Sequence, residues 1–334
     1  MKKSDRKRYA FLLAAGAFAF LIILFWLSWS SALLKMDKAI EGEARPVRYE
    51  GKRYVYNEDL INILCLGVDH SNALDQDVLP GDRGQSDAIF LISLNSKTRK
   101  IKILNIPRDL MMPINIYDSK GDFMMMRTMQ LTLQYAYGND GDDSCRKTAE
   151  RISSLFLDIP IDRYCAVNFN AVPVLNDAVG GVTLRMNTEY VDAELQKLSP
   201  MFAPGNTVHL MGERCFEYLH VRDIHTYASC EERAERQKVY IKEYIKAVKE
   251  KAKKDPKLLF ELYSILDENM TTDIGKAELL ALPFYIDELD FDNSIISVAG
   301  KRIQGEIHEE FYANDEELKR MVVETFYTLA DEEI

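Results

Sequence analysis

An uninterrupted apolar segment near the amino terminus constrains this chain more than any other feature of its sequence. Residues Ala10 to Leu27 carry no charged side chain. As a helix, this segment is about 27 Å long, close to the hydrocarbon thickness of a bilayer. Five basic side chains and one acidic side chain precede it within residues 1–8, and Trp26 and Trp29 lie at its other end, where aromatic residues anchor membrane helices. The segment predicts a transmembrane helix over residues 9–31, preceded by a short basic cytoplasmic head over residues 1–8.

A cleaved signal peptide is the alternative interpretation of the same segment. Its apolar region is normally shorter and ends in a cleavage site of small residues. Here the apolar region is long, and Trp26-Leu27-Ser28-Trp29 is a poor cleavage site. We therefore favour an uncleaved single-pass anchor in the cell membrane, with a cytoplasmic amino terminus and an extracytoplasmic main domain.

The charge balance argues against nucleic acid as a partner. The chain has 42 Lys and Arg against 53 Asp and Glu, a formal net charge of -11. Beyond residue 8, the balance is 37 basic to 52 acidic side chains, or -15. Neutralising phosphates along a nucleic acid requires surplus basic charge. The body of the protein is equally unsuited to an anionic membrane surface, so membrane contact is expected through the amino-terminal helix.

The remainder of the chain alternates apolar strand patterns with helical ones. Residues 32–58 are polar and irregular and are interpreted as a juxtamembrane segment. No linker-like composition follows, which predicts one extracytoplasmic domain over residues 59–330. The predicted strands are 61–67, 88–94, 101–106, 164–169, 182–184 and 294–298, and the predicted helices are 148–156, 171–179, 212–220 and 231–253. This order indicates an α/β fold, similar to an α-β-α sandwich, with a central mixed sheet flanked by helices.

Charged residues lie at the ends of three predicted strands. Asp69 follows the first, Asp87 precedes the second, and Arg108 and Asp109 follow the third. If these strands are neighbours, the four side chains meet at one end of the sheet, where ligand sites are common. Two carboxylates with room between them suit Mg²⁺, which prefers oxygen ligands. Aspartate is also common in ordinary turns, so this pattern leaves the alternative of a purely structural role open.

The long helix predicted at 231–253 carries polar residues in line with its apolar face. Arg233 and Gln237 stand one turn apart on the line that continues into Ile241. A buried charge requires a partner, and the planar guanidinium of arginine matches phosphate oxygens. This spacing favours phosphate binding by Arg233 and Gln237. By contrast, Arg236 is expected on the solvated face, paired with Glu232.

The cysteines and histidines give little indication of a metal site. No zinc-binding motif is present, and the five histidines are scattered. Of the five cysteines, Cys65 and Cys165 lie in apolar strands and are interpreted as buried thiols. Cys145 and Cys230 lie in polar surroundings, so that a disulfide between them is one possibility that the sequence leaves open.

Several short motifs together resemble the LytR-CpsA-Psr family. The residues Leu66–Asp69, Ser86–Phe90 and Ile106–Asp109 are similar to its opening motifs. The later motifs follow in the order that the family has, and the resemblance covers residues 59–330. These later motifs are Tyr135–Gly138, Ile159–Tyr164, Asn176–Val182 and Glu235–Gln237.

The resemblance implies a membrane-anchored phosphotransferase that moves a glycopolymer from a polyprenyl-pyrophosphate carrier to peptidoglycan, forming a phosphodiester. It also implies Mg²⁺ as the cofactor, held by Asp69 and Asp87, and pyrophosphate binding by Arg108, Arg222, Arg233 and Gln237. Asp69, Asp87 and Arg108 would carry catalysis, with Asp69 as the base for the incoming sugar hydroxyl. The expected partners are the lipid-linked glycan and the peptidoglycan acceptor.

Two positions depart from the family pattern. Gln85 stands where the family has an arginine before Ser-Asp, and His220 stands where it has the first arginine of an Arg-x-Arg pair. We place both at the pyrophosphate site, with Arg83 and a protonated His220 as replacements for the missing charges. The lost arginines keep two other activities open, namely hydrolysis of the lipid pyrophosphate and a non-catalytic scaffold that binds lipid or polymer. Direct transcriptional regulation is disfavoured by the acidic body and the lack of a DNA-binding motif.

Overall fold

The computed structural model describes residues 38–69, 79–187, 193–221, 229–255, 257–275, 295–306 and 308–330. The predicted cytoplasmic head and transmembrane helix lie outside these residues. Within the described ranges, no helix combines the length and apolar character needed to cross a bilayer.

The order of the elements follows the predicted alternation of strands and helices. The strands are β1 (Val47–Tyr49), β2 (Lys52–Tyr56), β3 (Leu60–Asp69), β4 (Gln85–Asn95), β5 (Ile101–Asn105), β6 (Met111–Tyr117), β7 (Phe123–Gln130), β8 (Arg163–Asn168), β9 (Val182–Arg185), β10 (Thr207–Leu210), β11 (Met270–Thr272), β12 (Ile295–Ser297), β13 (Gly300–Gln304), β14 (Glu309–Ala313) and β15 (Tyr327–Leu329). The α-helices are α1 (Gly141–Leu155), α2 (Ala171–Ala178), α3 (Ala193–Leu198), α4 (Glu213–His220), α5 (Ser229–Lys254), α6 (Leu258–Asp267) and α7 (Asp315–Phe326). Short 3-10 helices lie at Leu131–Tyr137 and Pro200–Phe202.

A mixed sheet forms the centre of the fold. Among the described residues, six strands pair in the order β11-β8-β3-β4-β5-β12. The pairs β3–β8 and β5–β12 are parallel, whereas β4 is antiparallel to both β3 and β5. The predicted α/β class with a central mixed sheet is confirmed. As a result, β4 begins at the end of the sheet where β3, β5, β8 and β12 finish, and we call this the carboxyl end of the sheet.

The main hydrophobic core covers one face of this sheet. Leu64 and Leu66 of β3 and Leu91 of β4 are at most 2% exposed and belong to this core. Helix α1 contributes Cys145 and Ile152, both fully buried. Alternation along the strands and helical spacing along α1 therefore direct the apolar side chains to one shared interior.

Helix α1 begins earlier than predicted. The expected range was 148–156, whereas the helix runs from Gly141 to Leu155. Its start is fixed by Asp140, whose carboxylate accepts a hydrogen bond from the backbone N–H of Asp143 at 2.7 Å. The acidic residues of the first turn obscured the helix because they interrupt the apolar pattern.

The predicted juxtamembrane segment is partly incorporated into the domain. Strands β1 and β2 pair with each other, and β2 pairs with β15 near the carboxyl terminus. Tyr56 at the end of β2 is 8% exposed and belongs to the main core. The compact unit that contains these strands begins at Ala39, whereas the sequence prediction placed residues 32–58 before the domain. Pairing with β15 joins distant parts of the chain, which a local pattern does not reveal.

The described cysteines are free thiols. Cys145 is free and fully buried on the inner side of α1, so it forms no disulfide with Cys230. Cys65 and Cys165 are opposite each other in the parallel pair β3–β8 and are half-buried thiols. Cys215 on α4 is fully buried, and its thiol donates a hydrogen bond to the Tyr240 hydroxyl at 3.3 Å.

Alkaline pH should destabilise the protein through Cys215. Burial raises the pKa of this thiol to about 11, whereas an unfolded thiol ionises near pH 8.5. Above about pH 9, the unfolded state therefore holds fewer protons than the folded state, and the free energy of unfolding falls by about 1.4 kcal/mol per pH unit for this one group. Urea unfolding between pH 8 and 10.5 measures the slope. The Cys215→Ala variant should show a shallower slope, and identical slopes would contradict the expectation.

Candidate functional site

A cavity of about 450 Å³ opens at the carboxyl end of the sheet. It lies beside the start of β4, the ends of β5 and β12, the first part of α5 and the hairpin β13–β14. Its charged and polar lining consists of Asp87, Asn105, Arg108, Asp109, Arg233, Glu235, Gln237, Lys238, Ser297, Arg302 and Glu317. Four of the predicted site residues, Asp87, Arg108, Arg233 and Gln237, therefore surround one space.

A β-bulge places Asp87 at this cavity. Gly67 of β3 pairs with Ala88 of β4, but the next residue, Val68, pairs with Ser86. Asp87 is the extra residue and has no partner on β3. Bulges commonly redirect a side chain at a functional site. Here the bulge allows Ser86 to stay fully buried while Asp87 lines the cavity.

Arg108 is held from two directions by residues of β4. Its guanidinium Nη1 forms an ion pair with Asp87 Oδ1, and its Nη2 donates to Gln85 Oε1 at 2.9 Å. Its backbone carbonyl accepts a hydrogen bond from the N–H of Thr132 at 2.9 Å. Gln85 thus supplies a neutral acceptor that orients Arg108. Gln85 itself is not among the described residues that line the cavity, and its predicted place in the pyrophosphate site stays a prediction.

Helix α5 presents Arg233 and Gln237 along one line, as the sequence predicted. Arg233 is 6% exposed, and both residues line the cavity. Gln237 Nε2 donates to the carbonyl of Leu219 at 3.3 Å, and the hydroxyl of Tyr240 donates to Asn176 Oδ1 at 3.0 Å. These contacts fix the helix against its neighbours and hold its polar residues at the cavity.

Arg236 lies in a buried environment, contrary to the sequence prediction. It is 3% exposed, its Nη2 donates to the carbonyl of Val221, and its guanidinium lies 5.9 Å from the ring centroid of Tyr218. The expected solvated pair with Glu232 was therefore wrong. Arg236 lies three residues after Arg233, on the same stripe of α5 that Gln237 and Tyr240 continue, and α4 packs against this stripe.

The proposed replacements for the missing arginines have other contacts. Arg83 is 4% exposed and donates to the carbonyls of Gly138 at 3.1 Å and Asn139 at 2.6 Å. Its guanidinium holds the loop before α1, so Arg83 does not replace a cavity arginine. His220 stacks on Phe216, with ring centroids 5.0 Å apart, and neither Arg83 nor His220 is among the described residues that line the cavity.

Two predicted residues are incompletely defined by the structure. The backbone of Asp69 pairs with Gln85 at the carboxyl end of β3, but its side chain lies outside the described part of the chain. Arg222 lies outside the described residues altogether. Their predicted roles in metal and pyrophosphate binding remain predictions.

The donor set is compatible with Mg²⁺ held jointly by protein and phosphate. Among the described side chains, no group of three or more His, Cys, Asp or Glu could enclose a metal ion. Mg²⁺ commonly takes only one or two carboxylates and completes its shell with phosphate oxygens and water. Asp87 supplies one carboxylate at the cavity, and Asp69 is the last residue of the neighbouring strand β3.

Sequence reasoning missed Arg302. Its guanidinium forms an ion pair with the buried carboxylate of Asp109 and lies 3.6 Å from the carboxylate of Glu309. Burial lowers the pKa of this guanidinium, and the charge of Glu309 opposes that shift. The sequence feature that could have pointed to Arg302 is the predicted strand at 294–298, because Arg302 follows this strand closely. The sequence did not show that this strand would pair with β5.

The sequence of this chain is similar to a family model and to several known proteins. The model of the LytR-CpsA-Psr family (LytR_cpsA_psr) matches residues 23–322. TagU of Bacillus cereus, a polyisoprenyl-teichoic acid–peptidoglycan teichoic acid transferase, is 29% identical over 211 residues, which are 63% of this chain and 59% of TagU. TagV of Bacillus subtilis, with the same activity in its name, is 27% identical over 143 residues, which are 42% of this chain and 34% of TagV. The match therefore spans less than two thirds of either relative.

Solved structures share the fold. TagT of B. subtilis superposes with a TM-score of 0.58 at 20% identity, covering 87% of this chain and 98% of TagT. A structure of TagT bound to LI-WTA gives a TM-score of 0.59 at 22% identity and covers 86% of this chain and 96% of that one.

Proposed function

This chain belongs to the LytR-CpsA-Psr family, and from that premise we propose that it transfers a glycopolymer from a polyprenyl-pyrophosphate carrier to peptidoglycan. The observation that carries the proposal is the shared cavity of Asp87, Arg108, Arg233 and Gln237 at the carboxyl end of the sheet. Buried or half-buried cations facing one space suit a polyanionic pyrophosphate. The names of TagU and TagV, which are teichoic acid transferases, support the same class of reaction.

The proposal includes an extracytoplasmic location. Residues 9–31 would anchor the chain in the cell membrane, with the basic residues 1–8 on the cytoplasmic side. The domain that begins at Ala39 would then lie outside the cell, close to a lipid-linked substrate. Peptidoglycan, the proposed acceptor, lies on that side as well.

The proposed reaction exchanges one phosphorus–oxygen bond for another. The hydroxyl oxygen of the acceptor sugar attacks the phosphorus that carries the glycopolymer, the pyrophosphate bond breaks, and polyprenyl monophosphate leaves. Asp69 would accept the proton of the hydroxyl. Arg108, Arg233 and Gln237 would bind the pyrophosphate oxygens and stabilise the charge that develops on the leaving phosphate. Mg²⁺, held by Asp87 and Asp69, would supply further neutralisation of the same charge.

A reconstituted assay tests this function. The full chain in detergent or nanodiscs is incubated with a polyprenyl-pyrophosphate-linked disaccharide and peptidoglycan fragments, with Mg²⁺ or with EDTA. We expect Mg²⁺-dependent attachment of sugar phosphate to peptidoglycan. The Asp87→Asn variant should lose it, whereas the control variant Asp122→Asn, changed at an exposed position before β7, should retain it.

The same assay separates the alternative functions. Free sugar phosphate without attachment to peptidoglycan would identify a hydrolase that uses water as the acceptor. Tight binding of the lipid-linked disaccharide with no turnover would identify a non-catalytic scaffold. Either result would overturn the transferase proposal while leaving the cavity as the binding site.

A further inference from the structure

A buried ion pair lies directly beside Arg108, one of the residues that line the cavity. Arg302 of β13 pairs with Asp109, and their side chains are 6% and 5% exposed. Asp109 is the residue after Arg108, in the turn that follows β5. The pair therefore joins the hairpin β13–β14 to the turn that carries Arg108.

Backbone contacts fasten the same two segments together. The N–H of Phe311 in β14 donates to the carbonyl of Asp109 at 3.0 Å, and Leu110 forms a parallel bridge with Phe311. The guanidinium of Arg302 lies 5.6 Å from the ring centroid of Phe311. From the other side, the Thr132 N–H holds the carbonyl of Arg108. The turn is thus restrained on both sides, and Arg302 is the charged part of that restraint.

Stability alone gives little reason for such an arrangement. A buried ion pair usually contributes no more to folding than apolar side chains of similar volume, because both charges lose their hydration. The positive charge of Arg302 is also balanced by Asp109 and by Glu309 at 3.6 Å. Arg302 is therefore less suited than Arg108 to bind a polyanion directly, although it lines the same cavity.

We propose that Arg302 is a positioning residue for Arg108: by holding Asp109, it fixes the direction from which the Arg108 guanidinium enters the cavity. The inference rests on the proposed function, since it assumes that Arg108 binds the pyrophosphate. Small displacements of a binding group can reduce function strongly, so a contact that sets the position of Arg108 has a measurable effect.

A double-mutant cycle tests this assignment. The affinity of the full chain in detergent for inorganic pyrophosphate is measured by calorimetry for wild type, Arg108→Ala, Arg302→Gln and the double variant. Arg108→Ala should weaken binding by about 10- to 100-fold, and Arg302→Gln by about 5- to 20-fold. The double variant should bind no more weakly than Arg108→Ala, because Arg302 acts only through Arg108. Losses that multiply would show that Arg302 acts independently, and would overturn the proposal.

A second variant guards against misfolding. Arg302→Gln leaves Asp109 buried without its ion-pair partner, which can destabilise the fold. The combined variant Asp109→Asn with Arg302→Gln removes both charges and should keep a melting temperature close to that of wild type. We expect it to bind pyrophosphate as weakly as Arg302→Gln, and wild-type affinity in this variant would overturn the proposal.

The outcomes distinguish this inference from the proposed function. If wild type binds no pyrophosphate, the proposed function fails and the positioning role fails with it. If wild type binds and Arg108→Ala weakens binding, but the two variants are additive, the function stands and only the role of Arg302 is rejected.

Discussion

Replacing Arg108 by alanine should lower the rate of glycopolymer transfer by about 1,000-fold. The Arg108 side chain is 20% exposed at the cavity and forms an ion pair with Asp87, whose side chain is 7% exposed. Alanine removes the cation that would face the pyrophosphate and also leaves the Asp87 carboxylate without this partner. Initial rates with a fluorescent lipid-linked disaccharide and peptidoglycan fragments measure the effect. Arg108→Lys should lose about 10- to 100-fold, because lysine keeps the charge but lacks the planar guanidinium.

A matched surface variant controls for the loss of one positive charge. Arg53 on β2 is exposed and does not line the cavity. Arg53→Ala should transfer glycopolymer within about twofold of the wild-type rate, because surface substitutions away from special contacts have small effects. A rate for Arg108→Ala that matched the rate for Arg53→Ala would exclude Arg108 from the reaction.

Replacing Phe326 by alanine should lower the free energy of unfolding by about 3–5 kcal/mol. This side chain is fully buried at the end of α7, and its ring lies 5.7 Å from the ring of Phe156, centroid to centroid. Alanine would leave a cavity in the main core between α7 and the segment after α1. Urea unfolding followed by circular dichroism gives the change.

The neighbouring strand offers a control for this stability measurement. Leu329 on β15 is 56% exposed, so Leu329→Ala should change the free energy of unfolding by no more than about 0.5 kcal/mol. Comparable losses for Phe326→Ala and Leu329→Ala would show that the core does not depend on the aromatic pair.

Local patterns in the sequence were sufficient to locate much of the site. Apolar runs defined β3, β4 and β5, and Asp87 and Arg108, at the ends of β4 and β5, converge because these strands are neighbours. The helical spacing of Arg233 and Gln237 likewise predicted their shared direction, since residues four apart lie on one face of a helix. In each case the information lies within a few residues of the side chain concerned.

The features that could not be predicted depend on contacts between distant segments. Arg302 reaches the cavity only because β12 pairs with β5, and β1 and β2 belong to the domain only because β2 pairs with β15. Arg236 is buried because α4 packs against the stripe of α5 that also carries Arg233 and Tyr240. Helical spacing is consistent with Arg236 lying on that stripe, but the sequence does not show that α4 would cover it.

The bulge at Asp87 has a consequence for how this region can change in length. Without the extra residue, shifting Asp87 by one position would turn Ile89 and Leu91 from the core to the opposite face of the sheet, because side chains alternate along a strand. Because of the bulge, Asp87 lines the cavity while Ile89 and Leu91 keep their places in the core. Insertions upstream of Gln85 leave the register of β4 unchanged, whereas a deletion between Gln85 and Ile89 would displace either the carboxylate or the core. The five residues from Gln85 to Ile89 therefore form a segment of fixed length.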